Sequence, residues 1–405
     1  MTPEFRLAAA CCRWPGDSRR DQAVREAALV GVDWGRFLEE VRRHRIAGLA
    51  SDALTSASGV PDAVTGQLAT EARGMVLANL KLAAESLHIQ RLLDEAGVCA
   101  VALKGVALAQ LAYGSLSFKH ARDIDVLVPP EQAEAAWALL EQQGYQLVEP
   151  SAPLGADQRE ALVRFGREIE LTSPRHGVAV ELKWSPVENP MLLRGLDAHS
   201  ATQDVTIAGA GAIRTFVDED LFAYLCVHGA SHCWFRLKWL ADLNAWLTSK
   251  RQEELEALHR FAKAEGVGEC AGQALALCRG LLGLRLPASL EPELTRLKVR
   301  LLVAGALDAM AGGGAELDLQ RRPLGPFRLM PSQFLRGRGL GFFLAQCWLV
   351  TQSLDDMLSV PLPRPLHFLY PLLRLPLWLT RIVRRHVGAG RAATPAAPAI
   401  GQGQP

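Results

Sequence analysis

The chain has 405 residues, 49% of them hydrophobic, with 44 Lys plus Arg against 43 Asp plus Glu. That is enough apolar chain for two or more domains around a sizeable core. A formal charge of only +1 gives no global field to draw in DNA or RNA, so a nucleic-acid partner is not expected. The eight cysteines lie mostly in apolar stretches and form no Cys-x-x-Cys pair, which points to reduced, buried thiols in a cytoplasmic protein. Near the N-terminus only Leu7 to Cys12 is apolar, too short for a signal peptide core, so secretion is not expected.

Residues 20–95 read as helical throughout, with Val76, Leu80, Ala83 and Leu87 on one apolar stripe and Gly97 placed as the stop. The texture then changes. Val98 to Leu103 is a continuous apolar run that predicts a buried strand, ending at Lys104-Gly105. A short helix is predicted over Val106 to Tyr113, a loop at Gly114, and a strand from Asp123 to Val128 that ends at Pro129-Pro130. A helix from Glu131 to Gln143, stopped by Gly144, leads into a strand at Tyr145 to Val148. Glu168 to Leu171 and Val178 to Leu182 flank Ser173-Pro-Arg-His-Gly177, the pattern of a hairpin. From Asp218, read as an N-cap, to about Leu284 the periodicity is helical again, and another helix runs from Pro292 to Met310 before Gly312-Gly-Gly314.

Gly341 to Val350 is too short to span a bilayer, and Leu366 to Thr380 is broken by Pro371, Arg374 and Pro376, so no transmembrane helix is expected. Tyr370 and Trp378 interleave with arginines over residues 361–385, which suits a segment lying in a membrane interface at the inner face; packing on the helical domain is the competing reading. The expected organisation is a helical region (1–95), a mixed-sheet core (96–190), a helical domain (191–322), an apolar and basic segment (323–387) and a disordered tail (388–405), an α+β protein.

Within the core, residues two apart on a strand share a face, so Asp123 and Asp125 direct two carboxylates to one point. Hard anionic oxygens repel one another unless a cation lies between them, and Mg²⁺ (or Mn²⁺) is the cation such donors choose in phosphate chemistry. The second hairpin arm delivers Glu181, with Glu168 or Glu170 as alternatives on the adjacent arm. Lys104, Gly105, Lys119 and Arg122 are the cations and turn available to an anionic phosphate chain. His228 and His232 fall on the apolar stripe of their helix. They read as interior groups facing the core, with a zinc pair completed by Cys226 or Cys233 as the alternative. Arg236 and Lys238 read as surface charge.

Leu103-Lys-Gly-Val-Ala-Leu108, Asp123-Ile-Asp-Val-Leu-Val128, Val180-Glu-Leu-Lys-Trp184 and His228-x3-His232-x-Trp234-x4-Trp239-x2-Asp242 together resemble the uncharacterised bacterial nucleotidyltransferase family of the polymerase-beta-like superfamily, over roughly residues 75–250. The resemblance implies a mixed-sheet core, a glycine turn for the triphosphate at Gly105, and Asp123, Asp125 and Glu181 as ligands of two metal ions. Val106 and Lys119 depart from it, since relatives often carry Gly or Ser after the turn glycine and Arg four residues before the first aspartate. The activity implied is transfer of a nucleoside monophosphate from an NTP to the hydroxyl or phosphate of an unknown acceptor, a small molecule, glycan or peptide. The alternatives are an inactive nucleotide-binding or interaction protein, and an antitoxin-like transferase that modifies a protein or tRNA.

Overall fold

The computed structural model describes residues 1–55, 57–149, 154–207, 209–311 and 331–351, with scattered positions between 356 and 377. Residues 1–153 and 167–346 form one compact unit, and residues 154–166 with 347–405 form another. In the second, Asp356 pairs with Arg374 at 3.7 Å. Among the described residues no helix is long and apolar enough to cross a membrane. Segment 361–385 lies largely, and tail 388–405 entirely, outside the described residues, as does 312–330 around the expected boundary at 322.

Five helices come first: α1 (Pro3–Cys11), α2 (Ser18–Ala28), α3 (Trp34–His44), α4 (Ala47–Leu54) and the long α5 (Asp62–Glu95). Gly97, at φ 69°, reverses the chain after α5 as a glycine stop should. The stripe on α5 matches the expected one in part. Ala83 and Leu87 are buried, but Leu80 is 53% exposed, and Met75, Asn79, Leu82 and Ser86 also face inward. Counting apolar residues alone misplaces the stripe because Asn79 is buried for its hydrogen bonds. Its Nδ2 donates to the carbonyls of Leu116 and Lys119, both at 2.6 Å, and its Oδ1 accepts from the Ala121 N–H at 3.3 Å. One side chain thus ties down the loop that leads into the Asp123 strand.

The described strands form one mixed sheet: β1 (Val101–Ala102), β2 (Asp123–Leu127), β3 (Gln146–Glu149), β4 (Glu168–Thr172), β5 (Ala179–Lys183), β6 (Thr202–Ile207) and β7 (Gly211–Phe216), in the order β3-β4-β5-β2-β1-β7-β6. β2 runs parallel to β5 and β1 parallel to β7; the other pairs are antiparallel. The expected hairpin is β4–β5. β1 is shorter than the apolar run from Val98 to Leu103 predicts, because the Val98 N–H closes the end of α5 on the Leu93 carbonyl (2.9 Å) and the Cys99 N–H is taken by Gln132 Oε1 (2.9 Å). β6 and β7 were not anticipated, and they carry the sheet beyond the expected boundary at residue 190. Alternation in Thr202–Ile207 buries Val205 and Ile207, with Ile213, against Ala83, Leu87 and Val106.

Between strands lie α6 (Val106–Tyr113), α7 (Ala133–Gln142) and, in the second unit, α8 (Ala156–Phe165). The helical pattern after residue 218 resolves into α9 (Asp218–Ser231), α10 (Leu237–Thr248), α11 (Gln252–Ala264) and α12 (Gly268–Leu277); the later stretch divides into α13 (Glu291–Leu294) and α14 (Leu297–Ala311). Val217, not Asp218, is the N-cap of α9. The Asp218 carboxylate instead accepts from Gln203 Nε2 at 2.9 Å and pairs with Lys250. Val101 and Leu127 of the sheet share one core with Leu108 and Ala112 of α6, Phe222 of α9, Leu240 of α10 and Leu275 of α12. The helices that follow the sheet are therefore packed onto it within the same unit.

Asn79→Ala should lower stability by about 2–3 kcal/mol, since it leaves two carbonyls and one amide without their buried partner. Urea unfolding measures this directly, and a loss under about 0.5 kcal/mol, the range of ordinary surface changes, would remove Asn79 from its tethering role.

Candidate functional site

The site begins with strand periodicity. On β4 and β5, Ile169, Leu171, Val180 and Leu182 are buried on one face, which leaves Glu168, Glu170, Glu181 and Lys183 on the other. Parallel register sets Asp123 beside Ala179 and Asp125 beside Glu181. Asp123, Asp125 and Glu181 consequently offer carboxylate oxygens that all lie within 4.8 Å of one another, and this is the one such cluster of metal-capable side chains among the described residues. β1 then delivers the turn. Gly105 has φ 68° and ψ −131°, a backbone conformation open essentially to glycine alone, and it caps α6. The first amides of α6 have no partner within the helix and carry its positive dipole end.

Asp125 is only 3% exposed, and neither of its side-chain oxygens makes a hydrogen bond. Its charge is met instead by two ammonium groups, Lys104 Nζ at 3.0 Å and Lys183 Nζ at 3.8 Å. Lys183 also reaches Glu181 Oε2 at 2.7 Å and pairs with Glu168. Burial opposes ionisation of Asp125, yet the two lysines hold its pKa down to about 2. Glu181 goes the other way: burial, then the neighbouring Asp125 charge, raise it to about 7. Lys104 and Lys183 are both raised, burial being outweighed by Asp125 and the other carboxylates. Three clustered hard oxygen donors, one of them a buried carboxylate whose charge is met by ammonium groups, fit a divalent cation such as Mg²⁺.

Lys104, Lys183, Asp123 and Glu181 line a cavity of about 460 Å³, and Asp125 is not among its lining residues. Of the other expected site residues, Arg122 is on its wall and exposed there, and Gly105 is not among its lining residues. Glu168 and Glu170, the alternative third carboxylates, also line it, but it is Glu181 that joins the aspartates. Lys119 is placed apart. It is 4% exposed and pairs with Asp242, which also accepts from Tyr113 Oη at 3.0 Å, so it serves the packing of α6 on α10 and not the cavity.

Arg236 and Lys238 are corrected in the opposite direction. Both line the cavity, and Lys238 is 7% exposed, donating to the His120 carbonyl at 3.1 Å, while Arg236 Nη1 donates to the Arg43 carbonyl at 2.8 Å. Burial, then the like charge of Lys119, lower the pKa of Lys238 well below the usual range. Lys183, Arg45, Arg167 and Arg336 complete the cationic wall. Lys183 was legible as the same-face neighbour of Glu181. The others arrive through tertiary packing and carry no local signature.

His228 and His232 face the cavity with their ring centroids 4.8 Å apart, and both rings pack on Trp239, at 5.6 and 5.1 Å. Burial, then Lys104, hold His228 neutral. Among the described residues neither histidine joins a cluster of three metal-capable side chains; Cys226 is fully buried, and Cys233 Sγ contacts Ser332 Oγ at 3.1 Å. The turn after α9 is unusual, with Cys233 and Trp234 both in left-handed conformations at φ 48° and 49°. It tucks Trp234 against Gly229, where an added Cβ would come within 2.2 Å of the indole. That packing keeps His232, Arg236 and Trp239 on the cavity side.

A family model described as "Uncharacterised nucleotidyltransferase" matches residues 31–283, which is more than half of the 405 residues, and the chain belongs to that family. No curated protein and no solved structure matches it.

The raised pKa of Glu181 has a definite consequence for stability. Its carboxyl keeps its proton in the folded chain between its ordinary value of 4.5 and about 7, while the unfolded chain releases it. Metal-free protein should therefore lose stability as pH rises through that window, and Glu181→Gln should flatten the decline. Thermal unfolding of both proteins from pH 5 to 7.5 tests this; parallel profiles would contradict it.

Proposed function

We propose that this nucleotidyltransferase is of the polymerase-beta-like kind and moves a nucleoside monophosphate from an NTP to a hydroxyl or phosphate of an acceptor with the help of bound Mg²⁺ or Mn²⁺. The observation that carries the reading is the convergence of Asp123, Asp125 and Glu181 beside the Lys104-Gly105 turn. Divalent ions held by the three carboxylates would lower the pKa of the attacking hydroxyl and offset charge on the leaving pyrophosphate.

The chain supplies the rest. The Gly105 turn and the free amides of α6 cradle phosphate oxygens, and Lys104 and Arg122 place positive charge along the triphosphate. The acceptor oxygen attacks the α-phosphorus in line, the bond to the β-phosphate oxygen breaks, and pyrophosphate leaves. Glu181 takes the acceptor's hydroxyl proton. The ring cluster of His228, His232 and Trp239, in which His232 is tilted 33° to the indole and His228 stands edge-on at 81°, offers aromatic contact to a base or an acceptor ring. A cytoplasmic location is part of the same reading, supported by eight free cysteines, and a peripheral membrane contact through 361–385 is its remaining element.

Asp125→Asn keeps the shape of the side chain and removes the charge that binds the cation. It should abolish the Mg²⁺-dependent thermal stabilisation of the protein by NTPs, a loss of about tenfold or more in affinity. Undiminished Mg²⁺-dependent stabilisation in that variant would refute the metal assignment.

A further inference from the structure

The cavity has a second anion-binding feature that the nucleotide does not account for. Arg336 is 1% exposed yet lines the cavity, and its Nη2 makes no hydrogen bond among the described residues. The nearest carboxylate is that of Glu188, 3.9 Å away on an exposed side chain, too far for a hydrogen bond. The Arg336 Nε donates to the Gln333 carbonyl at 3.5 Å, a long bond, which leaves Nη2 without a hydrogen-bond partner; a buried guanidinium so placed costs stability, and it persists where a ligand completes it. Its surroundings hold it in place: Gln333 Nε2 donates to the Ser231 carbonyl at 3.0 Å, and Cys270 Sγ donates to the Arg336 carbonyl at 3.4 Å. It differs in this from Lys104 and Lys183, whose ammonium groups are engaged by the clustered carboxylates.

We propose that Arg336 is the recognition residue of a second subsite, which takes an oxyanion, a phosphate or carboxylate carried by the acceptor. This rests on the transferase reading above and adds to it the chemical class of the acceptor. A guanidinium fork matches such a group in two parallel hydrogen bonds. Glu188 stands beside it as a weak internal competitor, displaced when the acceptor's anion arrives. The acceptor is thus an acidic molecule, and its anion is met by Arg336 on the cavity wall.

The test uses the full chain, with methyl phosphate and acetate as probes of the subsite and ATP, GTP, CTP and UTP with Mg²⁺ as probes of the nucleotide site, all by calorimetric titration. At least one small anion should bind, and which one it is tells phosphate from carboxylate. Arg336→Gln should weaken that anion by about tenfold or more while nucleotide binding persists, and Lys104→Met should do the reverse. Glu188→Gln, which removes the competing carboxylate from an exposed position, should tighten the anion by about two- to fivefold.

Binding of neither anion, or unchanged anion binding in Arg336→Gln, would overturn the proposal. So would an equal loss of nucleotide, since Arg336 would then belong to the triphosphate. If Arg336→Gln does not fold, Glu188→Gln decides: tightening supports the subsite and no change rejects it. If wild-type protein binds an anion through Arg336 but no NTP, the nucleotide reading fails and the anion site stands.

Discussion

The parallel pairing of β2 with β5 is the constraint on which the site depends. It sets Asp125 beside Glu181 at adjacent ladder positions, and like charges so placed, one of them almost wholly buried, repel strongly in a medium of low dielectric. The arrangement is stable because Lys104 enters from the neighbouring strand's turn and Lys183 from the same face of β5, each within 4 Å of Asp125. The two carboxylates answer their shared environment differently. Asp125, met by Lys104 at 3.0 Å and by Lys183 at 3.8 Å, stays ionised, while Glu181 bears the repulsion and holds its proton more tightly. Such separation of pKa values between paired acids marks sites built to hold a cation or move a proton.

The register matters only if the loop feeding β2 and the hairpin carrying β5 are held, and α5 does both with polar side chains. Asn79 binds the loop at Leu116, Lys119 and Ala121; two turns along, Glu85 accepts from Ser173 Oγ at 2.7 Å and from Tyr145 Oη, which fixes the turn between β4 and β5 and the start of β3. Buried polar groups with all partners supplied specify one geometry more sharply than apolar contacts can. The far wall is fixed by packing instead. Gly229 leaves the space that Trp234 fills, and the left-handed turn through Cys233 aims the aromatic and cationic residues after α9 back toward the carboxylates.

What the sequence disclosed follows the range of the forces involved. The Asp123 and Asp125 pair, Glu181 and the Lys104-Gly105 turn were legible because strand period and turn chemistry act over a few residues. The α5 stripe was legible only in part: Ala83 and Leu87 are buried, but Leu80 is exposed and Asn79 and Glu85 point inward for hydrogen bonds, which an apolar count cannot register. β6 and β7 were missed although Val205, Ile207 and Ile213 alternate, since the turn between them is short and the helical texture beyond dominates. Lys119 and Lys238 exchanged expected roles for a reason of the same kind. Which cation meets a buried aspartate and which faces a cavity is set by how α10 lies against α6, more than a hundred positions away in the chain.

Net charge conceals this most of all. A chain with a formal charge of +1 has no long-range field to speak of, yet its cavity gathers eight cationic side chains against five exposed or half-buried carboxylates. Screening removes the effect of scattered surface charge within about 10 Å at ordinary ionic strength, whereas groups on a shared, partly desolvated wall keep theirs. The selectivity of such a protein is therefore local. It discriminates by what can enter about 460 Å³ and satisfy cations on one side and clustered carboxylates on the other. On the proposed reading, a small polyanion accompanied by a divalent ion meets both demands at once.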